Sequence, residues 1–385
     1  AANAMHQVLN FETALSEILD SRRQIEFISN YTLDEINSMP SMNWISWTDL
    51  FKSTLPESFT LLGNEIVRIY DYEYVIQLKE LLQNKQKRVV ANYMFWRAAE
   101  RLAPLASKEL RTKQEEFKRT TEPIRNQCLK IVSSNMGVAL SSLYITDLFD
   151  KSFKLEADKM VEHIRQQMIE NLDQTAGVGD EAKKGISDRV KHIVTRVAFS
   201  KELLDKKKMT NYYKDLKFDN RTFLRASLDV AGWNRNLKVN HTLQGLQASD
   251  WFRFNDVTSP AAIFNTKENT IVVTAGLLQP PLFSSALPHY VNYGSIGYLV
   301  AHHFTHIVDV TTDGKASNNI TYKGGLRLAY RTYRKSVEEL EYPEAVLPGL
   351  HQYSQDQLFM LSMANMMCTK YPEEEFKHGK SPIEI

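Results

Sequence analysis

Apolar residues spaced three or four positions apart run through most of the first two thirds of this chain. An α-helix turns once every 3.6 residues, so residues at this spacing share one face, which needs a partner surface. The clearest series is Met160, Val161, Ile164, Met168 and Leu172. Shorter series occur in residues 15–19 and 75–82. These stripes predict a chain built by helix-on-helix packing, and we interpret each stripe as core rather than as a cofactor groove.

One region after residue 250 departs from the helical pattern. Residues 261–264 lead into a turn-like stretch, residues 265–269, which is followed by the β-branched run at residues 270–274. Because β-branched residues favour strands, this order predicts a strand hairpin. The fold class that follows is mainly α with a small β-sheet (α+β). We expect a helical lobe over residues 1–180 and a second lobe over residues 181–385.

Charge and hydropathy exclude several classes of protein. The 385 residues include 47 Lys and Arg against 46 Asp and Glu, so no basic excess indicates a nucleic-acid partner. The longest apolar run, residues 270–283, contains Pro280 and Pro281 and is shorter than the ~20 residues of a membrane helix. We therefore expect no nucleic-acid partner and no transmembrane segment in this chain.

Other features bear on the compartment. The two cysteines, Cys128 and Cys368, are too few for a disulfide scaffold; they could pair, stay buried as thiols, or have lost partners. The chain starts at Ala1 without Met, and we expect a mature or trimmed product. Acceptor triplets for N-glycosylation are compatible with a secreted, extracellular glycoprotein. They occur at Asn30, Asn220, Asn240 and Asn319.

The residues with the clearest chemistry are His302 and His306, four positions apart in an apolar helical context at residues 294–309. Residues i and i+4 share one helix face, so the two imidazoles can meet one metal ion, or they can form a buried structural pair. In zinc proteases this pattern becomes H-E-x-x-H, whose Glu polarises the metal-bound water. His303 stands at the Glu position here.

Longer segments around this motif resemble the neprilysin and endothelin-converting-enzyme family of zinc metallopeptidases, in matching order and spacing. The resemblance covers nearly the whole chain. It rests on residues 271–283, 291–306, 318–330, 347–350 and 357–368, with 134–136 and 143–144 upstream. The resemblance implies a zincin-like catalytic lobe beside a helical lobe, zinc as cofactor and peptides as substrates. It also implies an ectodomain that is often tethered by one N-terminal membrane helix, so a membrane anchor absent from this chain is an alternative to secretion.

Part of the implied metal site is retained and part is replaced. His302 and His306 match the family's two imidazole ligands, and Asp309 matches the acidic residue that orients a ligand. The third ligand, a Glu in the family, falls on Asn318, whose neutral amide is a poor zinc ligand. The resemblance therefore predicts zinc binding that is weak or absent.

The implied catalytic and substrate-binding residues are also replaced. The general-base Glu falls on His303, and the Asp that supports the transition state falls on Tyr322. The family's peptide-gripping Asn falls on Ala261, which precedes Ala262. The histidine expected beside residues 381–382 is Lys380. A positioned general base contributes roughly 10² to 10⁴ in rate, so these replacements predict the loss of most peptidase activity.

Two departures concern length. Eleven residues separate His306 from Asn318, where the family has several dozen, and the family's N-terminal segment is missing. Cys128 and Cys368 match family cysteines whose disulfide partners lie in that segment. The chain is either a shortened family member or a piece of a longer one.

The leading hypothesis is a degenerate, catalytically inactive family member that is secreted and binds peptides or a protein partner. An alternative is a zinc metalloendopeptidase with an atypical ligand set, in which His303, Asp309 or Asp313 would contribute. A third hypothesis is a helical scaffold that only binds other proteins.

Overall fold

The computed structural model describes residues 2–20, 29–56, 59–119, 122–173, 179–217, 222–244, 256–266, 268–311 and 318–368. Helices account for most of these residues. The α-helices are α1 (Ala2–Asp20), α2 (Leu33–Ser38), α3 (Trp47–Lys52), α4 (Tyr72–Gln83), α5 (Lys87–Ala106), α6 (Lys108–Lys118), α7 (Ile124–Asp147), α8 (Ser152–Asp173), α9 (Asp180–Lys191), α10 (Lys206–Tyr212), α11 (Phe223–Gln244), α12 (His289–Asn292), α13 (Tyr298–Thr311), α14 (Asn318–Glu338) and α15 (Gln355–Met366). A 3₁₀ turn spans Lys201–Leu204, and a π-helical turn spans Tyr293–Gly297.

Within the described residues, two small sheets accompany the helices. Strands β1 (Ser29–Thr32) and β2 (Ile66–Ile69) pair antiparallel. The second sheet has the order β3 (Val194–Ala198), β5 (Thr270–Thr274), β4 (Ala262–Asn265). In it β3 runs parallel to β5 and β4 runs antiparallel to β5, so the predicted hairpin is confirmed. The predicted fold class, mainly α with a small β-sheet, is likewise confirmed.

The chain separates into two compact units. Unit 1 comprises Ala1–Gln127 and Leu216–Leu246, and unit 2 comprises Cys128–Asp215 and Gln247–Ile385. This division differs from the predicted boundary near residue 180, which falls inside unit 2. The reason is packing, because α8 and α9, on either side of residue 180, bury their apolar residues in the same core as α13 and α14.

The core of unit 2 confirms the longest sequence stripe. All five of its apolar residues on α8 are buried. They join a continuous cluster that includes Phe304 on α13, Tyr333 on α14 and Phe359 on α15. Burial of a large aliphatic or aromatic side chain contributes roughly 1.5–3 kcal/mol, so this cluster is the main source of the unit's stability.

The cores of unit 1 are smaller, and one stripe there is placed differently from the prediction. Residue Leu19, predicted to be core, is 56% exposed, and α1 instead buries Val8 and Phe11. Phe11 packs edge-to-face on Tyr93 of α5 with ring centroids 5.0 Å apart. A helix has several candidate apolar faces, and the position of its partner helix decides which one is buried.

Helix α7 is apolar and long enough to cross a membrane by length and composition, and 22% of its most apolar window is buried. The core helix of a soluble protein meets the same criteria. Within unit 2 its hydroxyl groups bond to other elements: the Ser133 Oγ donates to Asp256 Oδ2 at 2.6 Å, and the Ser141 Oγ accepts from the Val257 N–H at 3.0 Å.

Both cysteines are free and exposed. Of the alternatives left open by the sequence, a Cys128–Cys368 disulfide and burial as thiols are therefore both absent from this structure.

We expect Ile164→Ala to lower the free energy of unfolding by about 2–5 kcal/mol, because Ile164 is fully buried in the core of unit 2. Leu155→Ala is the matched control, since Leu155 lies on the same helix and is 60% exposed. The control should change stability by less than about 1 kcal/mol. Urea unfolding followed by circular dichroism measures both, and equal effects would contradict this placement of α8.

Candidate metal site

The histidine helix α13 is entered through a buried π-helical turn. Residues 293–297 are all buried, and the turn continues directly into α13 at Tyr298. A π turn adds one residue to the helical repeat and is frequent at functional sites. Gly294 in this turn lies against the backbone oxygen of Phe359 and the side chain of Ser362, so α15 packs directly on it.

Helix α14 packs very closely on α13 beside the histidines. A Cβ atom on Gly325 would lie 2.8 Å from the Cα of His302 and 3.0 Å from its nitrogen, which are contacts that real side chains do not make. At Gly324 a Cβ atom would lie 3.3 Å from Cγ2 of Thr305. The two adjacent glycines therefore permit the close approach of the two helices at the level of His302.

His302 and His306 converge as predicted. Their Nε2 atoms are 3.1 Å apart, and their ring centroids are 4.5 Å apart with an interplanar angle of 70°. His302 is 4% exposed, and the ring of Tyr298 stacks on it at a centroid distance of 6.3 Å. Two nitrogens bound to one tetrahedral Zn²⁺ at roughly 2.0–2.1 Å lie about 3.4 Å apart, so this pair fits a shared zinc ion as two of its ligands.

His303 lies apart from this pair. Its ring centroid is 5.7 Å from that of His302 and 6.0 Å from that of His306, because adjacent helix positions point about 100° apart. It is 8% exposed, and neither ring nitrogen has a partner in hydrogen-bonding geometry.

Burial, together with the charges of His302 and His306, lowers the pKa of His303 to about 4, and the backbone of Ala262 partly offsets these effects. The imidazole is therefore neutral at pH 7.

The edge strand β4 faces this helix. β4 pairs with β5 on one side only, and the Thr274 N–H donates to the Ala261 carbonyl at 3.0 Å. Because antiparallel strands direct alternate residues towards the partner strand, the backbone groups of Ala262 point away from β5. The interaction of Ala262 with His303 agrees with this direction. The structure thus brings together His302, His303, His306 and Ala262.

Other predicted site residues lie partly outside the described structure. Asp309 belongs to α13, and both Asn318 and Tyr322 belong to α14, which begins at Asn318. The side chains of these three residues lie outside the described part. Asp313 and Lys380 lie outside the described residues altogether. Among the residues that are described, no group of three or more His, Cys, Asp or Glu side chains could hold a metal ion. The described donors therefore amount to two imidazoles, which is fewer than a catalytic zinc normally has.

Sequence reasoning missed the structural role of Gly325. The signal was available in the Gly324–Gly325 pair, since adjacent glycines inside a helix lower its intrinsic stability and usually have a packing reason. Tyr298 was missed as the residue that stacks on His302, although it lies one helical turn before that histidine.

Comparisons with sequence models of protein families and with known relatives all indicate one peptidase family. Two sequence models of peptidase family M13 match the chain, an N-terminal one over residues 1–200 and a second one over residues 261–316 and 310–381. Neprilysin-2 of Drosophila melanogaster is 26% identical over 438 residues, which cover 96% of this chain and 56% of the relative. Human neprilysin is 26% identical over 400 residues, covering 90% of this chain and 52% of its own. The chain thus spans about half the length of these relatives.

Solved structures show the same fold at low sequence identity. A zinc metalloprotease of Mycobacterium tuberculosis, ZMP1 in complex with an inhibitor, superposes with a TM-score of 0.72 at 17% identity over 96% of this chain and 62% of its own. PepO from Lactobacillus rhamnosis gives a TM-score of 0.77 at 14% identity over 98% of this chain and 64% of its own.

We expect Gly325→Ala to destabilise the protein by about 1–3 kcal/mol, because the new methyl group would meet the backbone of His302. Gly232→Ala is the control, since Gly232 lies inside α11 with no atom within 4 Å of the added Cβ. There the same substitution should stabilise by about 0.5–1 kcal/mol. Thermal unfolding distinguishes the two signs, and a neutral Gly325→Ala would refute the close helix approach.

Proposed function

The chain belongs to peptidase family M13, the neprilysin family of zinc metallopeptidases, and from this premise we propose that it binds peptides without hydrolysing them. The observation that carries the proposal is His303, an imidazole at the position of the family's general-base Glu. The base must accept a proton from the attacking water, and a Glu supplies a negative charge for this. An imidazole supplies no such charge, and the ring centroid of His303 lies 5.7 Å from that of His302 and 6.0 Å from that of His306.

The metal-binding residues support the same conclusion. His302 and His306 would hold a zinc ion, which when bound supplies a Lewis acid that polarises water and the scissile carbonyl. The third family ligand falls on Asn318, which adds no negative charge to the site. A catalytic zinc normally has three protein ligands and one water, so we expect weak zinc binding and no efficient catalysis.

Peptide binding is supported by the edge strand. The outward backbone groups of Ala262 have no strand partner among the described residues. An extended peptide can add to such an edge through main-chain hydrogen bonds. Because Ala261 stands where the family has an Asn, the chain relies on the backbone of β4 more than on side-chain contacts.

We place the protein outside the cell, either secreted or as the ectodomain of a membrane-anchored protein. Two predicted glycosylation acceptors, Asn30 and Asn240, are exposed and thus accessible to modification.

The second candidate function is a zinc metalloendopeptidase with an atypical ligand set. The observation in its favour is the 3.1 Å separation of the two Nε2 atoms, a spacing compatible with a shared metal ion. It requires a further ligand and a base from this chain's own residues.

We expect the purified, zinc-supplemented chain to hydrolyse a quenched fluorogenic peptide library no faster than its His302→Ala variant, because no carboxylate occupies the base position. The same library, immobilised, should retain the protein. Peptides N-methylated at alternate backbone positions should bind at least about ten-fold more weakly, since they cannot add as a strand. Turnover that a chelator stops and His302→Ala abolishes would establish the second candidate instead.

Zinc affinity should rise by about ten-fold or more in Asn318→Glu, because a carboxylate would replace the neutral amide at the third ligand position. Asn319→Glu is the control, since it makes the same charge change at the adjacent helix position. Equilibrium dialysis with metal analysis measures both variants and His302→Ala, which should bind less zinc than the unmodified chain. Tight, stoichiometric zinc in the unmodified chain would argue against the loss of the site.

A further inference from the structure

A second polar cavity lies in unit 2 and shares no residue with the three-histidine cluster. It has a volume of about 270 Å³ and is enclosed by α8, by α12 with the following π turn, and by the C-terminal end of α14. This volume is near the lower end of ordinary small-molecule pockets, which fits a compact ligand.

Two histidines line the cavity, and each uses one ring nitrogen in a hydrogen bond to a hydroxyl group. The Nδ1 of His163 lies 3.0 Å from the hydroxyl oxygen of Tyr293. The Nδ1 of His289 lies 3.1 Å from the Oγ of Ser336. Tyr293 and Ser336 are both buried, so these contacts hold the two imidazoles in defined positions on the wall.

Ser336 links His289 to the backbone of α14. The Ser336 hydroxyl donates to the carbonyl of Tyr333 at 2.7 Å. Its oxygen also lies 3.1 Å from the Nδ1 of His289, so the imidazole is held at a fixed distance from α14. One ring nitrogen of His289 is thus used within the wall of the cavity.

The charges along the lining are mainly negative. Lys159, the single Lys or Arg on the described lining, is ion-paired with Glu156 at 3.0 Å. Glu339 is exposed and makes no ion pair with a described residue. Burial raises the pKa of Tyr293; a hydrogen bond with Ser336 lowers it, and the negative charges of Glu339 and Glu156 raise it, so both carboxylates act on the same wall. The lining therefore carries more carboxylates than cations, which suits a positively charged donor.

The remaining lining is apolar. Met160 and Phe283 are buried and contribute hydrophobic surface beside the polar wall, and Leu340 lies two residues beyond the end of α14. Such a surface suits a short aliphatic stem, whereas the carboxylates suit an N–H donor at its tip.

We propose that this cavity binds an ammonium or guanidinium group on a short aliphatic stem. Glu339 provides the charge contact, and the rings of His163 and His289 form the polar wall beside it. The group can come from a free amine or from a Lys or Arg side chain of a peptide. An anion is disfavoured, because the nearest cation is already paired and Glu339 would repel it.

Binding is tested by isothermal titration with agmatine on the full chain. Glu339→Gln keeps the shape of the side chain and removes its charge, so agmatine affinity should fall by about ten-fold. Glu338→Gln is the matched control, because Glu338 is the adjacent exposed residue on α14 and does not line the cavity. It should leave the affinity unchanged within about two-fold. Both variants alter exposed residues and should fold normally.

A second arm distinguishes the source of the cation. An Arg-containing tetrapeptide, acetylated and amidated, is compared with the same peptide carrying citrulline, which has the same shape without the charge. Binding of agmatine alone indicates a free amine, and binding of the Arg peptide over the citrulline peptide indicates a side chain. The proposal is overturned if neither cation binds, if Glu339→Gln binds agmatine as well as the unmodified chain, or if succinate binds more tightly than agmatine.

Discussion

The close packing of α14 on α13 is the contact on which the rest of the site depends. Gly325 lies against the backbone of His302 at a distance that leaves no room for a Cβ atom. This contact fixes the helix that begins at Asn318 relative to the two imidazoles, and it leaves α13 buried on most sides. A helix enclosed in this way needs apolar residues around its circumference, which is why its sequence is so hydrophobic. The backbone position of His302 is thus set by the packing of the two helices.

Packing of this kind is compatible with a change in the chemistry of the site. The packing around the site involves the glycines of the π turn, the Gly324–Gly325 pair and the β4–β5 hairpin. In the proposed function, His303 and Asn318 stand where carboxylates would serve the metal and its water. A neutral His303 can be buried at lower cost than a charged Glu, although its ring nitrogens, which lie outside hydrogen-bonding geometry, still carry a desolvation cost of about 1–3 kcal/mol. Family membership therefore establishes the fold, whereas the proposed loss of activity rests on the residues of the site.

Sequence patterns predicted individual helices and strands better than they predicted how these elements pack together. The α8 stripe is buried as predicted, and the hairpin forms where the β-branched run indicated. On α1 the buried residues are Val8 and Phe11, and Phe11 packs on Tyr93 of α5. Leu19 of the predicted stripe is exposed. The boundary near residue 180 was placed at a loop, but the helices on both sides of that loop share one core. A loop marks a change of direction, and only side-chain packing shows whether it also separates two cores.

The sequence alone determined what depends on neighbours along the chain. Residues four positions apart on a helix lie on one face, so the convergence of His302 and His306 follows from helix geometry. The cavity lined by His163 and His289 had no such signal, because two single histidines far apart in sequence form no periodic pattern. Their contacts with Tyr293 and Ser336 exist only once α8, the π turn and α14 are packed together. Local periodicity is a property of the backbone repeat, whereas a cavity arises from the distances between elements, and these are set by the packing of the whole core.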